Sequence, residues 1–394
     1  MFFSIFSLFA CSNDIANQYQ TRKEQILQPS PPPPDNWQPD IVLRVHYDAI
    51  SKMSKEILEY EINQLRFTQK VLITNISLQP KLNIQKWKLT DAPKSNQINF
   101  SVQLTGTWLY TIAMLTGSEN TNITIDGVAN VDIKDGQVWL SLSSIKKFQI
   151  HLASIQGFDL SEDIEKWFNS QLLTLPPIQV ATIDIKDLPV RALRINTTPQ
   201  SQNIEILSSA THNQSIPTPS KEITNDWQAI IHQKTILQWA QQMAFSKGVI
   251  SKGVAIDPVA IKITDNDFNL DLRLWKIEGM GLWWRDYTTT GTIHRVKNRL
   301  QFEGKSVKEG EKSPKAGLVD PLALLGEGLI LNAISDNLLY SLPAQKSGKL
   351  DAGTWNVQLE NFKGVDDTLE LSGTLVFTEN SKKSSTQPSK LPSK

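Results

Sequence analysis

The sequence predicts an α+β fold in which one plan is used twice, each copy a long curved antiparallel sheet wrapped around an apolar helix. Three observations predict it. First, long stretches such as "INFSVQLTGTW" alternate apolar and polar residues, the period of an antiparallel sheet with one face buried and one wet. Second, amphipathic helices with apolar residues at three- and four-residue steps flank these stretches. Third, the order helix, strands, helix, strands occurs twice, over residues 40–213 and 224–379. The two copies share little residue identity, so the repeat is one of structure.

In the first copy, Ile50, Met53, Ile57, Leu58, Ile62 and Leu65 line one face of the opening helix. Strands follow. Ile98, Phe100, Val102 and Leu104 share one face and Asn99, Ser101, Gln103 and Thr105 the other. "ITIDGVANVDI" alternates through Ile123, Ile125, Ala129, Val131 and Ile133, and "DGQVWLSLSS" supplies a turn and a third run. The late helix is "DLSEDIEKWFNSQLLTLPP". Ser161 or Asp159 caps it, Glu162 and Asp163 suit its first turn, and Leu160, Ile164, Trp167, Phe168 and Leu172 form its apolar face. Pro176 and Pro177 end it.

The second copy follows suit. Ile236, Trp239, Ala240 and Met243 mark its opening helix, and Phe268, Leu270, Leu272 and Leu274 the inner face of a strand, with "NRLQFEG" as a partner run. Its late helix, "LVDPLALLGEGLILNAISDNLLYSLPA", is apolar nearly all round and so must be wrapped by the sheet. "ALRINTTPQSQNIEILSSATHN" in the first copy aligns with "VQLENFKGVDDTLELSGTLVFT" in the second as strand, polar turn, strand. Residues 214–223 read as a linker rich in Pro, Ser and Thr, and the polar residues 380–394 as a disordered tail.

Composition narrows the function. The 394 residues carry 40 basic and 40 acidic side chains, and a neutral balance offers nothing to nucleic acid. One cysteine excludes an internal disulfide and a cysteine zinc site. The five histidines, His46, His151, His212, His232 and His294, form no HExxH or HxH pair, so neither a metal nor a cofactor is expected. "GKS" at 304–306 lacks the leading glycine of a phosphate loop, since Arg299 stands there. "DNDFNL" from Asp265 lacks the glycine and closing glutamate of a calcium loop and reads as a turn opening a strand. No GxSxG elbow is present. No enzyme constellation emerges. In "GMGLWWRDYTTTGT", Met280, Trp283, Trp284 and Tyr287 suit either a membrane-interface edge or a hairpin whose aromatics fold onto the sheet, the latter being the preferred reading.

The lone cysteine ends the apolar stretch "MFFSIFSLFAC". Leu8-Phe9-Ala10-Cys11 resembles the bacterial lipoprotein signal, which implies cleavage before Cys11 and acylation of its thiol and amino group, with residues 1–11 as the signal. Ser12 after the cysteine implies an outer-membrane destination, facing the periplasm or the cell surface. No Lys or Arg precedes Cys11, a departure from ordinary signals that reads as a degenerate signal or one starting further upstream. Residues 12–39, ending in "PSPPPPDNWQP", read as a proline-rich tether, because consecutive prolines favour an extended, stiff chain.

Taken with its element order, the phrase "TIDGVANVDIKDGQVWLSL" is similar to strands of small bacterial lipoproteins in the tubular lipid-binding (TULIP) superfamily, and residues 40–379 resemble that superfamily arranged in tandem. The resemblance implies a non-enzymatic protein that holds lipid-like molecules in an apolar tube between sheet and helix. The residues expected to line the tube are Trp167, Phe168 and Leu172 in the first copy and Leu325, Leu329 and Leu338 in the second. Expected partners are a lipid or other hydrophobic small molecule, and the membrane through acylated Cys11. The other class open at this point is an interaction module with closed cores that docks a protein of the cell envelope.

Overall fold

The structure is a computed structural model. It describes residues 3–28, 34–71, 74–112, 115–134, 137–152, 160–182, 192–197, 202–209, 223–251, 253–279, 281–296, 299–314, 347–350 and 353–379. The chain opens with helix α1 (Phe3–Leu27). The first copy comprises β1 (Ile41–His46), α2 (Tyr47–Gln64), β2 (Phe67–Val71), β3 (Thr74–Asp91), β4 (Gln97–Ile112), β5 (Leu115–Lys134), β6 (Gln137–Leu152), α3 (Ser161–Leu172), β7 (Ile178–Thr182), β8 (Ala192–Asn196) and β9 (Asn203–Ser209). The second comprises β10 (Trp227–His232), α4 (Gln233–Lys247), β11 (Val249–Ser251), β12 (Val254–Thr264), β13 (Asp267–Lys276), β14 (Trp283–Val296), β15 (Arg299–Lys312), β16 (Ser347–Leu350), β17 (Gly353–Val365) and β18 (Thr368–Glu379).

The α+β class, with long antiparallel sheets and helices packed on them, is as predicted. Strands β2 to β7 form one antiparallel sheet in chain order, and β11 to β15 form a second. Bulges at Ile84/Lys86 in β3, at Lys146 in β6 (opposite Asp126/Gly127) and at Pro258/Ala260 in β12 break the ladders, and such insertions bend the strands that carry them. Helix α2 lies on β3 and α3 on β6, while α4 lies on β12. Each opening helix is pinned by one amide side chain. Asn63 accepts from Leu82 N–H at 2.7 Å and donates to its carbonyl at 2.8 Å. Gln233 accepts from Ile263 N–H at 2.9 Å and donates to its carbonyl at 2.7 Å. Both backbone groups at each site are thereby satisfied away from water.

The third sheet, β16-β17-β18-β10-β1-β9-β8, joins the copies. The same register occurs on both sides of its centre. In the first copy His46 faces Asn203 and Arg44 faces Glu205; in the second His232 faces Thr368 and Ile230 faces Glu370. Each histidine ends its strand and caps the next helix, accepting from Asp48 N–H or Lys234 N–H at 3.2 Å. Strands β1 and β10 pair antiparallel with Leu43 opposite Ala229, so a local two-fold axis passes between those residues. A second shared device is a phenylalanine lying across a glycine on the neighbouring strand. Phe100 faces Gly127 and Phe268 faces Gly291. A Cβ on Gly127 would sit 2.5 Å from the Phe100 ring and one on Gly291 2.6 Å from the Phe268 ring.

Four expectations are revised or left outside the description. Each copy opens with a strand, β1 or β10, rather than with its helix. Ser161 is the first residue of α3 and Leu160 its N-cap, with no side-chain cap bond; Asp159 lies outside the described residues. Residues 12–27, read as the first part of an extended tether, belong to α1. Their Ala, Gln, Lys and Glu content favours helix, and Gln18 bonds Asp14 while Gln20 bonds Glu24, each one turn away. Helix α1 rests on the second copy through Ile15 and Tyr19, which pack with Phe245, Ala255 and Trp275. Arg22 then reaches the buried Asp257 at 3.3 Å. The late helix of the second copy, most of the linker and the tail 380–394 lie outside the described residues.

Candidate functional site

Trp167, Phe168 and Leu172 project from α3 into the core of the first copy. Phe168 and Leu172 are fully buried and Trp167 half-buried. Trp167 meets Phe67 edge-on at 5.2 Å and Trp108 at 6.4 Å, and Phe168 meets Trp108 at 6.0 Å and Phe148 at 5.7 Å. Trp167 and Phe168 thus sit in a packed aromatic cluster, and Leu172 lies in the same core. Leu325, Leu329 and Leu338 lie outside the described residues.

What the alternation pattern did not show is where, among the described residues, the edge of this core lacks a ladder. Strand β6 pairs with β7 only over Gln137–Leu140. From Ser141 to Leu152 its other edge has no ladder among the described residues, while β5 holds it on one side. Along this half, Leu142, Ile145, Phe148 and Ile150 turn inward against the core yet stay half-buried. They face the same way because Phe148 and Ile150 oppose the buried Ile125 and Ile123. The register shift at Val128/Ala129 restores the inward phase after Ser143 and Ser144, and the one at Asp126/Gly127 restores it after Lys146 and Lys147. The row and Trp167 border an apolar seam between β6 and α3. A cavity of about 10 Å³ lies at the end of the row, lined by Leu58, Glu61, Leu140, Leu142, Leu175, Pro176 and Ile178. That volume holds about one water and no acyl chain.

The second copy differs in chemistry. Trp283, Arg285, Tyr287 and Thr289 alternate on the inner face of β14, all buried. Arg285 pairs with Glu309 at 3.3 Å. Trp284 and Asp286 face outward, where the Arg273 guanidinium stacks on Trp284 at 4.0 Å and forks onto Asp286 at 2.6 and 2.9 Å. Trp283 and Tyr287 are thus folded onto the sheet, while Met280 lies outside the described residues. The same-parity spacing of Arg285 with Trp283 and Tyr287 was the available signal that this arginine points into the barrel.

Cys11 falls within α1, one helical turn before Ile15, the first described contact of that helix. Among the described residues no group of His, Cys, Asp and Glu could hold a metal ion, and no helix is long and apolar enough to cross a membrane.

No protein-family model and no curated protein matches the sequence. Solved structures that resemble the fold include the following three. Lipopolysaccharide binding protein aligns at 13% identity and a TM-score of 0.37, over 87% of this chain and 100% of that one. P47 from Clostridium botulinum A2 aligns at 13% identity and 0.37, over 85% and 97%. P47 of Clostridium botulinum E1 aligns at 11% and 0.41, over 86% and 99%. At such scores and identities the likeness carries no argument about function.

Proposed function

We propose that this chain is a non-enzymatic lipid-binding protein of the bacterial envelope, which takes an acyl chain through the seam of its first copy. The observation that carries the reading is the half-buried row Leu142, Ile145, Phe148 and Ile150 beside the half of β6 that has no ladder on that edge among the described residues. A continuous apolar row left partly in water along an open sheet edge is costly unless something covers it. An inserted chain recovers about 0.8 kcal/mol per buried methylene, so roughly a dozen carbons would compete with a bilayer. The resting cavity of about 10 Å³ requires α3 to swing away from β6 for loading, with Trp167 as the side chain that moves first. In this reading acylated Cys11 anchors the chain in the outer membrane, facing the periplasm.

Native mass spectrometry of the purified chain, with organic extraction, tests it. Near-stoichiometric phospholipid or fatty acid that is lost in Ile145→Asp supports the reading. A clean apo mass, unchanged after incubation with vesicles, refutes it. One observation favours a second reading, an interaction module with closed cores that docks an envelope protein: Trp108 and Phe168 are completely buried and fill the centre of the first copy. An apo mass together with a co-purifying protein would select that reading.

A further inference from the structure

A second recess lies far from the seam, on the outer face of the second copy. Helix α1 touches the sheet along its apolar stripe, Ile15 and Tyr19. The neighbouring stripe, Asp14, Asn17, Gln18, Thr21, Arg22 and Gln25, recurs at three- and four-residue steps and so shares one face. This stripe overhangs β12 and β13 across a groove of about 650 Å³, floored by Asp257, Val259, Arg273 and Trp275.

The lining fixes the kind of ligand. Its four charges are two carboxylates and two guanidinium groups, so the groove attracts neither anion nor cation as a whole. Asp257, 3% exposed, is balanced by Arg22, and Arg273 by Asp286. The rest of the overhanging wall is amide and hydroxyl, exposed to solvent: Asn17, Gln18, Thr21 and Gln25. Amides and hydroxyls each donate and accept, which suits a ligand whose groups also do both. Arg22 engages Asp257 through Nε, which leaves its terminal nitrogens as further donors. Val259 and Trp275 are the apolar residues of the lining, too few to form side-chain pockets for a peptide.

We propose that this groove binds an uncharged polyhydroxylated ligand, a neutral sugar or glycan, bridging α1 to the second sheet. One wall is a helix that, among the described residues, is otherwise held by an apolar contact and one ion pair, so the ligand also clamps α1 in place. The proposal is independent of the lipid reading, since the two sites share no residue.

The test is saturation-transfer difference NMR on the full chain with maltotriose, chitotriose and mannotriose, with inorganic phosphate as the anionic competitor. The variant is Asn17→Ala/Gln25→Ala, which keeps helix propensity and leaves Ile15, Tyr19 and Arg22 untouched. At least one sugar should show transfer that phosphate does not displace, with affinity falling about tenfold or more in the variant. The bound sugar should also slow amide exchange across residues 14–25. Three results would each overturn the proposal: no transfer from any of the three sugars, transfer unchanged in the variant, or displacement by phosphate. An unchanged melting temperature for the variant shows that a lost signal is not lost folding.

Discussion

The buried ion pair between β1 and β9 of the shared sheet offers a sharp test of what a fully buried charge pair contributes there. Arg44 Nη2 lies 2.8 Å from Glu205 Oε1, with both side chains 2% exposed. Asn196 donates to the other oxygen of Glu205 at 3.0 Å. Across the local two-fold axis, the position of Arg44 is filled by Ile230, beside Glu370. The chain itself therefore suggests Arg44→Ile. Alone, that change leaves a carboxylate buried without its cation, which costs about 3–5 kcal/mol. The double variant Arg44→Ile/Glu205→Leu removes both charges along with the desolvation they demand. It should fall between neutral and about 4 kcal/mol more stable than the parent. Urea unfolding followed by tryptophan fluorescence measures both, compared at equal m-values. The reasoning fails if Arg44→Ile costs under about 1 kcal/mol, as an exposed pair would. It also fails if the double variant is as unstable as the two singles summed.

Three further predictions follow from the same coordinates. Burial lowers the pKa of His232, so the stability it contributes is present above its ordinary value near 6.5 and is lost as the pH falls through the depressed one; His232→Asn, which keeps a capping acceptor, should flatten the stability profile between about pH 7 and pH 5. Burial raises the pKa of Asp257 although Arg22 pulls the other way. Stability from this group is therefore greatest below the ordinary carboxylate range and declines as the pH rises through the raised value, and the decline should be missing from thermal melts of Asp257→Asn. Gly291→Ala would place a Cβ 2.1 Å from the Glu303 carbonyl, a backbone atom that cannot rotate away, and should cost about 1–3 kcal/mol in urea unfolding. Gly310→Ala, whose nearest neighbour is at 3.3 Å, should cost less.

The parts of this fold that were legible in the sequence are those that local periodicity encodes. Phe100, Val102 and Leu104 in β4 and Phe268, Leu270 and Leu272 in β13 announce their inner faces by alternation alone. Ile50, Met53 and Leu58 do the same for α2 at helical spacing. Strands β1 and β10 were not legible, because they are short and buried on both sides. "IVLRVH" runs straight into α2 without a turn signal, and its partner lies almost two hundred residues away. Helix α1 was masked by an apolar start that fits a signal sequence equally well. For the candidate site, the apolar face of α3 was readable from Trp167, Phe168 and Leu172. The opening beside it was not, since it depends on β7 ending its pairing at Leu140. Pairing length is a property of two strands together, and neither sequence carries it alone.

The matched register around Leu43 and Ala229 has a consequence for any attempt to dissect the chain. A fragment cut near residue 218 would leave β1 as a bare outer strand, its backbone edge unpaired and Ile41 stripped of the second copy's core, with neither proline nor lysine to guard it. The missing neighbour has nearly the same geometry as the fragment's own strand, so the simplest replacement is a second fragment turned end for end. Severed halves of this protein should therefore seek themselves as readily as each other, through an isologous contact. The covalent link between the halves thus serves to choose a partner as well as to hold one.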